Sequence, residues 1–408
     1  MGGAEAVLLE ILADLRNTRP EWQLELIVGE AGPLLAQAQA LGVATHLLSF
    51  PISLARLGDS SLRGPAASNT AWLLFRELLF ASNGVRSYVS SLRRKLRELA
   101  PDVIHTNGFK MHILGALAKP KQTPLIWHVH DYVSSRALMA RLMKLFRKRC
   151  RLALANSNSV AADIKAACGE SLPVHTVYNA IDTEVFSPQG DQLDLDSLSG
   201  LPTAGPGTIR VGMIATCARW KGHEVFLNAL SLVPAEVPLR GYIIGDALYQ
   251  TGGSQYSLAE LKAHARQLGI ADRVGFTGFV EQPAAAMRSL EIVVHASTAP
   301  EPFGLVIIEG MACGRAVIAS EAGGAAELFE PGRTALGHPP GDVAQLAACI
   351  TKLANDPDLR ARLGQAGRAE VAQRFDRRRL ATDLIPIYKS VAKYQNVANF
   401  ESVAGAAR

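Results

Sequence analysis

The sequence predicts an α/β protein built from two doubly wound, Rossmann-like domains. Three observations carry that expectation. Strand-like and helix-like segments alternate along the chain, which is the pattern of parallel βαβ architectures. The strand-like segments are continuous apolar runs rather than strict alternations, as expected for strands covered on both faces. One stretch, SPQGDQLDLDSLSGLPTAGPG at 187–207, is rich in Pro, Gly, Ser and Asp and breaks the alternation, so it reads as an interdomain linker. A chain of 408 residues is long for a single core, which also favours two domains.

The chain opens MGGAEAVLLEILADL. Val7, Leu8, Ile11, Leu12 and Leu15 fall on one face, so the run from Ala4 to Leu15 is an amphipathic helix. Two glycines in front of a helix mark a tight loop where backbone comes close to a ligand. Such a loop normally follows a strand, and here only Met1 precedes it. In a doubly wound sheet the first strand is central. The expectation is an N-terminal domain lacking its first strand, whose neighbours close the gap or leave backbone groups unpaired. A natural start upstream of Met1 follows from that.

QLELIVGE, ATHLLSF, DVIHTNG, PLIWHVHD, RLALANS and VHTVYNAID then supply strands of a first sheet, with the helix-like GPLLAQAQALG and the basic SLRRKLREL among the segments between them. After 187–207 the alternation restarts. TIRVGMIATC, VPLRGYIIGD, RVGFTGF, EIVVHAST and RAVIASEAGG supply a second parallel sheet, with helices expected near 221–233, 256–269, 304–313 and 342–355. FDRRRLATDLIPIYKSVAK is a last helix, with Pro386 inside it as a kink. The expected division is 1–186, a linker at 187–207, 208–375, and a C-terminal helix at 376–408 packing back on the first domain. Two such domains imply a ligand cleft between the carboxyl ends of the two sheets.

Bulk properties exclude several classes. Hydrophobic residues make up 48% and charged residues 19% of the chain, which is globular rather than disordered. No apolar run reaches the roughly 20 residues of a membrane-spanning helix. The first residues lack the charged and apolar regions of a signal peptide, so a cytoplasmic protein is expected. Five scattered cysteines show no ligand spacing, which points to buried free thiols rather than zinc or disulfides. Asp194-Leu-Asp196 formally matches a DxD metal motif but reads as a solvated acidic stretch of the linker. The net charge of +5 is uneven. Residues 1–186 hold 21 Lys/Arg and 15 Asp/Glu, while the remainder holds 21 and 22. The basic surplus belongs to the first domain, and that bears on its partners.

Most of the chemistry lies in HASTAPEPFGLVIIEGMACGRAVIASEAGG, residues 295–324. A strand ends near Ser297, a short loop with two prolines follows, and Phe303-Gly304-Leu305 starts a helix. Free N–H groups and the dipole at that start favour an anion. Glu301 lies in the loop and Glu309 two turns into the helix. They sit on different elements, so they are not a hydrolase-type acid/base pair. Carboxylates beside a sugar accept hydrogen bonds from its hydroxyls. On spacing alone, a surface Glu309 and a Glu301 that only caps the helix remain the alternative.

Glu301 and Glu309, with Phe303-Gly304 between them and Gly310-Met311-Ala312-Cys313-Gly314 after them, resemble the Glu-x7-Glu signature of family 4 glycosyltransferases. Those are retaining enzymes of the GT-B fold. Ala322-Gly323-Gly324-Ala325-Ala326-Glu327, Gly332-Arg333-Thr334-Ala335 and Pro339-Pro340-Gly341-Asp342 are similar to the same family. So is Tyr178-Asn179-Ala180-Ile181-Asp182 with Phe186. The resemblance covers nearly the whole chain, strongest over 208–375 and loosest before 100. Gly310 stands where the family usually has Ala, a change read as weakening the helix by up to about 1 kcal/mol.

The resemblance implies roles. Glu309 matches the glutamate that binds the nucleotide ribose, and Glu301 the one that contacts donor-sugar hydroxyls. Backbone of Phe303, Gly304 and Leu305 would approach sugar and phosphate. Arg219 and Lys221, in ATCARWKGHE, match the basic pair on the donor diphosphate. Fixed cations there lower the barrier as the leaving group gains charge. His130, in PLIWHVHDY, matches the histidine that reaches the donor sugar across the cleft. His128 and His105 are supporting, and Asn107 lines the acceptor side. Gly278-Phe279-Val280 would bring backbone near the base, with Gly245-Asp246 a weaker donor-side candidate. Gly3, in the Gly2-Gly3-Ala4-Glu5 loop, would lie near the donor phosphate.

The implied reaction moves a hexose-type sugar from a nucleotide-diphosphate donor to a hydroxyl acceptor, a sugar or lipid-linked molecule of the cell envelope, with retention and without a metal or further cofactor. The basic amphipathic stretch 136–151 places Leu138, Leu142, Leu145 and Phe146 on one face, with Arg141, Lys144, Arg147, Lys148 and Arg149 supplying charge. Arg93, Arg94, Lys95 and Arg97 form a second basic cluster. An anionic membrane surface at the inner face is the partner such a helix suits, with a packed helix bearing a solvated basic face as the alternative. Nucleic acid is not expected, because no aromatic residues interleave the charge. The competing functions are a nucleotide-sugar epimerase of the same architecture and a donor-binding, inactive remnant.

Overall fold

The computed structural model describes residues 2–51, 70–247 and 253–405. It separates into two compact units, Met1–Tyr178 with Arg377–Arg408, and Asn179–Asp376. No helix among the described residues is long and apolar enough to cross a membrane.

The first unit runs α1 (Gly3–Thr18), β1 (Glu25–Val28), α2 (Pro33–Ala40), β2 (Ala44–Leu47), α3 (Thr70–Leu99), β3 (Ile104–Asn107), α4 (Phe109–Ala118), β4 (Leu125–Val129), α5 (Ala137–Phe146), β5 (Leu152–Ala155), α6 (Asn158–Cys168) and β6 (Val174–Thr176). All pairings are parallel, but the strands fall into two sheets, β1-β2 and β3-β4-β5-β6. Among the described residues β1 and β3 are not paired with each other. β4 and β5 are buried at every position, which is why they read as unbroken apolar runs.

The second unit begins with a short helix, α7 (Leu195–Ser199), followed by β7 (Ile209–Ile214), α8 (His223–Leu232), β8 (Leu239–Ile244), α9 (Leu258–Gln267), β9 (Val274–Gly278), α10 (Pro283–Arg288), β10 (Ile292–His295), α11 (Leu305–Ala312), β11 (Ala316–Ser320), β12 (Leu336–His338), α12 (Val343–Asn355) and α13 (Pro357–Arg374). Its six parallel strands lie in the order β12-β11-β10-β7-β8-β9. This is a doubly wound sheet whose strand order reverses between β7 and β10. α8 packs with α12, and α11 with α13. The core of Val211, Ile243, Ile292 and Ile318 is fully buried between the helical layers.

The last helix, α14 (Leu380–Gly405), carries Pro386 and belongs to the first unit, where it packs on α1. Asp14 of α1 is buried, and its carboxylate accepts a hydrogen bond of 2.6 Å from the Ala381 N–H. A side chain of the first helix thereby satisfies an orphan donor at the start of the last one.

The structure corrects three sequence expectations. The stretch 187–207 is not a free connector, and the break between units falls at Tyr178/Asn179 rather than at 186. Within 187–207, Leu193 donates its N–H to Ser289 Oγ at 2.7 Å, and Arg288 donates to the carbonyls of Asp191 and Ser187 at 2.7 and 3.3 Å. Ahead of it, Ile181 donates its N–H to the Phe375 carbonyl at 2.9 Å, and Arg368 donates to the carbonyls of Phe186 and Thr183 at 2.8 and 3.0 Å. Of the acidic stretch, Asp194 is exposed as expected and Asp196 is not. Asp194 caps α7 by accepting from Ser197 N–H at 3.0 Å. Asp196 is buried, bonded to Arg240 and Tyr242 at 2.5 Å each and to Arg210 at 3.3 Å. Burial alone would raise its pKa, but the Tyr242 hydroxyl, the Ala204 N–H and Arg240 hold it far below the usual carboxylate range. Gly310 is not a mere flaw in α11. A Cβ there would lie 3.2 Å from Val293 of β10 and 3.2 Å from Val317 of β11, so the missing side chain lets the helix sit on the sheet.

Residues 136–151 form α5 and a separate 3-10 turn, Arg147–Arg149, rather than one helix. Leu145 does not share the packed face. Met143 is fully buried, while Leu145 is 71% exposed. All five cysteines are free and buried.

Candidate functional site

The strand order of the second unit puts β7 and β10 side by side, so the loops leaving their carboxyl ends are neighbours. In an open α/β sheet that reversal point is where ligands bind. The β7 loop closes in a 3-10 turn, Arg219–Lys221, before Gly222 and α8. Gly222 has φ +83°, and a Cβ on it would collide with the carbonyl of Ala296 in the β10 loop. Only glycine lets the two loops approach this closely. The β10 loop runs from His295 through Glu301 to Gly304, the N-cap of α11, with φ +101°.

Two side chains meet where the loops do. Lys221 Nζ lies 2.9 Å from Oε1 and 2.8 Å from Oε2 of Glu301. Glu301 is 8% exposed, and its Oε2 also accepts from Ser297 Oγ at 2.8 Å and meets His295 Nε2 at 3.3 Å. Its backbone is fixed as well, because its carbonyl accepts the Gly324 N–H at 2.7 Å. Burial would raise the Glu301 pKa, but the Lys221 ammonium and the His295 hydrogen bond hold it well below the usual carboxylate range. Glu301 is therefore an ionised, oriented acceptor and not a cap of α11.

Arg219 does not share this partner. Its guanidinium lies 4.2 Å from the Tyr256 ring and bonds Glu260 at 3.2 Å and the Gly253 carbonyl at 2.8 Å. The sequence pairs Arg219 with Lys221, but the turn sends their side chains to different neighbours.

Glu309, on α11, has no hydrogen-bond partner among the described residues, and burial pushes its pKa up to about 7. A partly buried carboxyl left unpaired is costly. The side chain of Phe303 is buried with its ring 6.1 Å from that of Phe375, which leaves its backbone for any ligand. Leu305 is the first residue of α11. Gly278 ends β9 with φ +72°, Val280 follows two residues on, and Phe279 between them is 60% exposed.

In the first unit, β3 and β4 bring His105, Asn107, His128 and His130 together. Ring centroids are 5.1 Å apart for His105–His128 and 4.0 Å for His128–His130. His130 Nε2 is hydrogen-bonded to Asn107 Oδ1, and His105 Nδ1 to the Tyr388 hydroxyl at 2.7 Å. Burial first, and the His105 charge second, push His130 down to about 3, so it is neutral. Gly3 opens α1, and Gly2 N–H donates to Glu5 Oε2 at 2.8 Å.

Sequence reasoning missed His295 and Ser297 as partners of Glu301, and Tyr256 and Glu260 as partners of Arg219. The signal for the first pair was present. In His295-Ala296-Ser297 the two polar residues are two apart at a strand end, hence on one side of the chain.

The Glycosyltransferase Family 4 model matches residues 1–185, and the Glycosyl transferases group 1 model matches residues 204–370. Among curated proteins, the chain is 34% identical over 270 residues to a D-inositol 3-phosphate glycosyltransferase of Catenulispora acidiphila, covering 60% of this chain and 62% of that protein. It is 31% identical over 221 residues to a D-inositol 3-phosphate glycosyltransferase of Jonesia denitrificans, covering 53% and 51%. The chain thus spans about half to three fifths of the length of these two relatives. Among solved structures, Anabaena HepE in complex with UDP-glucose superposes with a TM-score of 0.76 at 25% identity, covering 96% of both chains. Two consecutive family matches, together with the Glu-x7-Glu helix at the strand-order reversal, establish that the chain belongs to the family 4, group 1 glycosyltransferases of the GT-B fold.

Proposed function

We propose that the protein transfers a hexose-type sugar from a nucleotide-diphosphate donor to a hydroxyl acceptor with retention at the anomeric carbon. The observation that carries this reading is the Lys221–Glu301 pair at the β7/β10 reversal, followed on α11 by Glu309, whose carboxyl has no hydrogen-bond partner among the described residues. A diphosphate needs a fixed cation, a sugar needs an oriented acceptor, and a ribose diol needs a second one. Lys221, Glu301 and Glu309 supply these in that order. The free N–H groups at the start of α11 add positive potential beside them. Arg219 is a second cation on the same turn.

The C1–O bond to the diphosphate breaks as the acceptor oxygen bonds C1 on the same face. The acceptor proton passes to the departing phosphate oxygen. Lys221 stabilises the charge that develops there. His130 acts in the same reaction as a neutral hydrogen-bonding group toward a sugar hydroxyl. UDP-glucose is the first donor to test, because the similar Anabaena protein was solved with it.

We also propose an anionic membrane surface as the place of the acceptor. Exposed Leu145 sits on α5 among exposed Arg141, Lys144, Lys148 and Arg149, an arrangement suited to lipid head groups.

The test is to incubate the full chain with UDP-, GDP- and ADP-sugars, with and without lipid-linked and free sugar acceptors, and to follow the products by NMR. Acceptor-dependent transfer with the donor's anomeric configuration supports the reading. A changed sugar without acceptor indicates an epimerase. Binding without transfer or hydrolysis indicates an inactive donor-binding protein.

A further inference from the structure

The hydrogen bonds around His130 assign its tautomer. Asn107 Nδ2 donates to the Ala4 carbonyl at 3.1 Å. Turning the Asn107 amide over would set its oxygen against that carbonyl oxygen and its NH₂ against the imidazole. The amide therefore presents Oδ1 to His130 Nε2. An amide oxygen only accepts, so Nε2 carries the proton. Nδ1 of a neutral imidazole is then a bare lone pair. It is buried and has no hydrogen-bond partner among the described residues.

An acceptor left unmatched in the interior is costly. The groups facing it from its own unit do not fill the need. His128 on β4 lies with its ring tilted 43° to that of His130 and has both ring nitrogens without a hydrogen-bond partner among the described residues, and His105 on β3 spends its Nδ1 on Tyr388. His112 on α4 is turned to Thr106, at 2.8 Å from its hydroxyl.

The Ala4 carbonyl is itself held. It lies in the first turn of α1, in the turn that the Gly2 N–H to Glu5 carboxylate bond closes. The chain of contacts runs from the Gly2–Glu5 turn through Asn107 to His130. It joins three segments that are distant in sequence.

We infer that Asn107 is a positioning residue that locks His130 as the Nε2–H tautomer and leaves Nδ1 as an obligate acceptor for a substrate hydroxyl. This rests on the reading that His130 acts in glycosyl transfer.

The experiment is two-bond ¹H–¹⁵N NMR on histidine-labelled full chain, with His130→Gln identifying the His130 signals, followed by pH–rate profiles of Asn107→Asp and Asn107→Leu. In the wild type, Nε2 is expected to carry the proton and Nδ1 to resonate as a bare pyridine-type nitrogen. Asn107→Leu should lower turnover by about tenfold or more, with the donor KM within about twofold, as loss of orientation without loss of binding requires. Asn107→Asp places a carboxylate on Nε2–H and favours imidazolium, in which Nδ1 is protonated. Its activity should be lost at a higher pH than the wild type's on the acid side, so that the acid limb of the profile moves up. A proton on Nδ1 in the wild type, or an Asn107→Asp profile superimposable on the wild type, overturns the inference. Full activity in His130→Gln overturns the reading of His130 instead, and the NMR result on the tautomer stands or falls separately.

Discussion

Lys221 and Glu301 grip each other with both carboxylate oxygens engaged, at 2.9 and 2.8 Å, across the point where the strand order of the second unit reverses. Neither residue is near the other in sequence. The contact exists because β7 and β10 are adjacent strands and Gly222 lets their loops close up. A pair of this kind, with Glu301 buried and Lys221 partly so, is weak support for stability.

Removing one partner should cost more than removing both. Lys221→Met takes the ammonium away from the buried Glu301 carboxylate, and should destabilise by about 3 kcal/mol. The double variant Lys221→Met/Glu301→Gln should recover most of that stability and no transfer activity. Thermal unfolding and donor turnover, measured on the same preparations, check both halves. Because the folded pKa of Glu301 is depressed, its stabilising contribution is present above the ordinary carboxylate range and is lost as pH falls from there through the lower folded value.

Glu309 carries the opposite sign. Its folded pKa is raised from an ordinary 4.5 to about 7 by burial. The folded state holds the proton longer than the unfolded chain does. Its contribution is therefore complete below the unfolded value and is lost as pH rises through the folded one. Glu309→Gln should raise the melting temperature of the ligand-free protein at pH 8. It should also weaken nucleotide binding by about tenfold or more, the scale of one lost hydrogen bond to a charged group. Wild-type nucleotide affinity should tighten between pH 6 and 8, and the variant should be flat. Melting curves and calorimetric titrations at the two pH values decide this.

Gly310→Ala should not stabilise the protein, although alanine is the better helix former by about 1 kcal/mol. The added methyl meets Val293 and Val317, β-branched residues of two central strands with little freedom to move. Overpacking of about 1–3 kcal/mol outweighs the helical gain. A higher unfolding midpoint in denaturant for the variant would count against this account of the contact.

Leu145→Glu should reduce binding to vesicles rich in anionic phospholipid while leaving the melting temperature within a degree or so of wild type, because the side chain is exposed and touches no core. Binding of the wild type should fall with added salt. Sedimentation with vesicles at low and high ionic strength measures both.

The sheets and the Glu-x7-Glu helix were legible because each depends on neighbours in the chain. Continuous apolar runs such as the buried β4 and β5 announce strands covered on both sides. What was illegible depends on tertiary partners. A Pro/Gly/Ser-rich composition suits a free linker and a packed strap equally, and 187–207 is the second. Asp196 is buried because Arg240, 44 residues on, and Arg210, 14 residues on, come to meet it. Helical periodicity set Leu145 on the apolar face of α5, but the core takes Met143 instead. Arg219 and Lys221 look like a pair in sequence, and only the direction of the 3-10 turn separates them. His295 and Ser297 carried a signal, two polar residues two apart at a strand end, but their common partner Glu301 emerges only in the folded loop.

The central claim is that the β7/β10 loops of the second unit bind a nucleotide-diphosphate sugar through Lys221, Glu301 and Glu309. The most direct test is calorimetric titration of UDP-, GDP- and ADP-glucose into the full chain and into Lys221→Met. The account predicts saturable one-site binding of at least one donor to the wild type, weakened by about tenfold or more in the variant, the scale of a lost charge-assisted contact. No binding of any donor, or equal binding to both proteins, would contradict it.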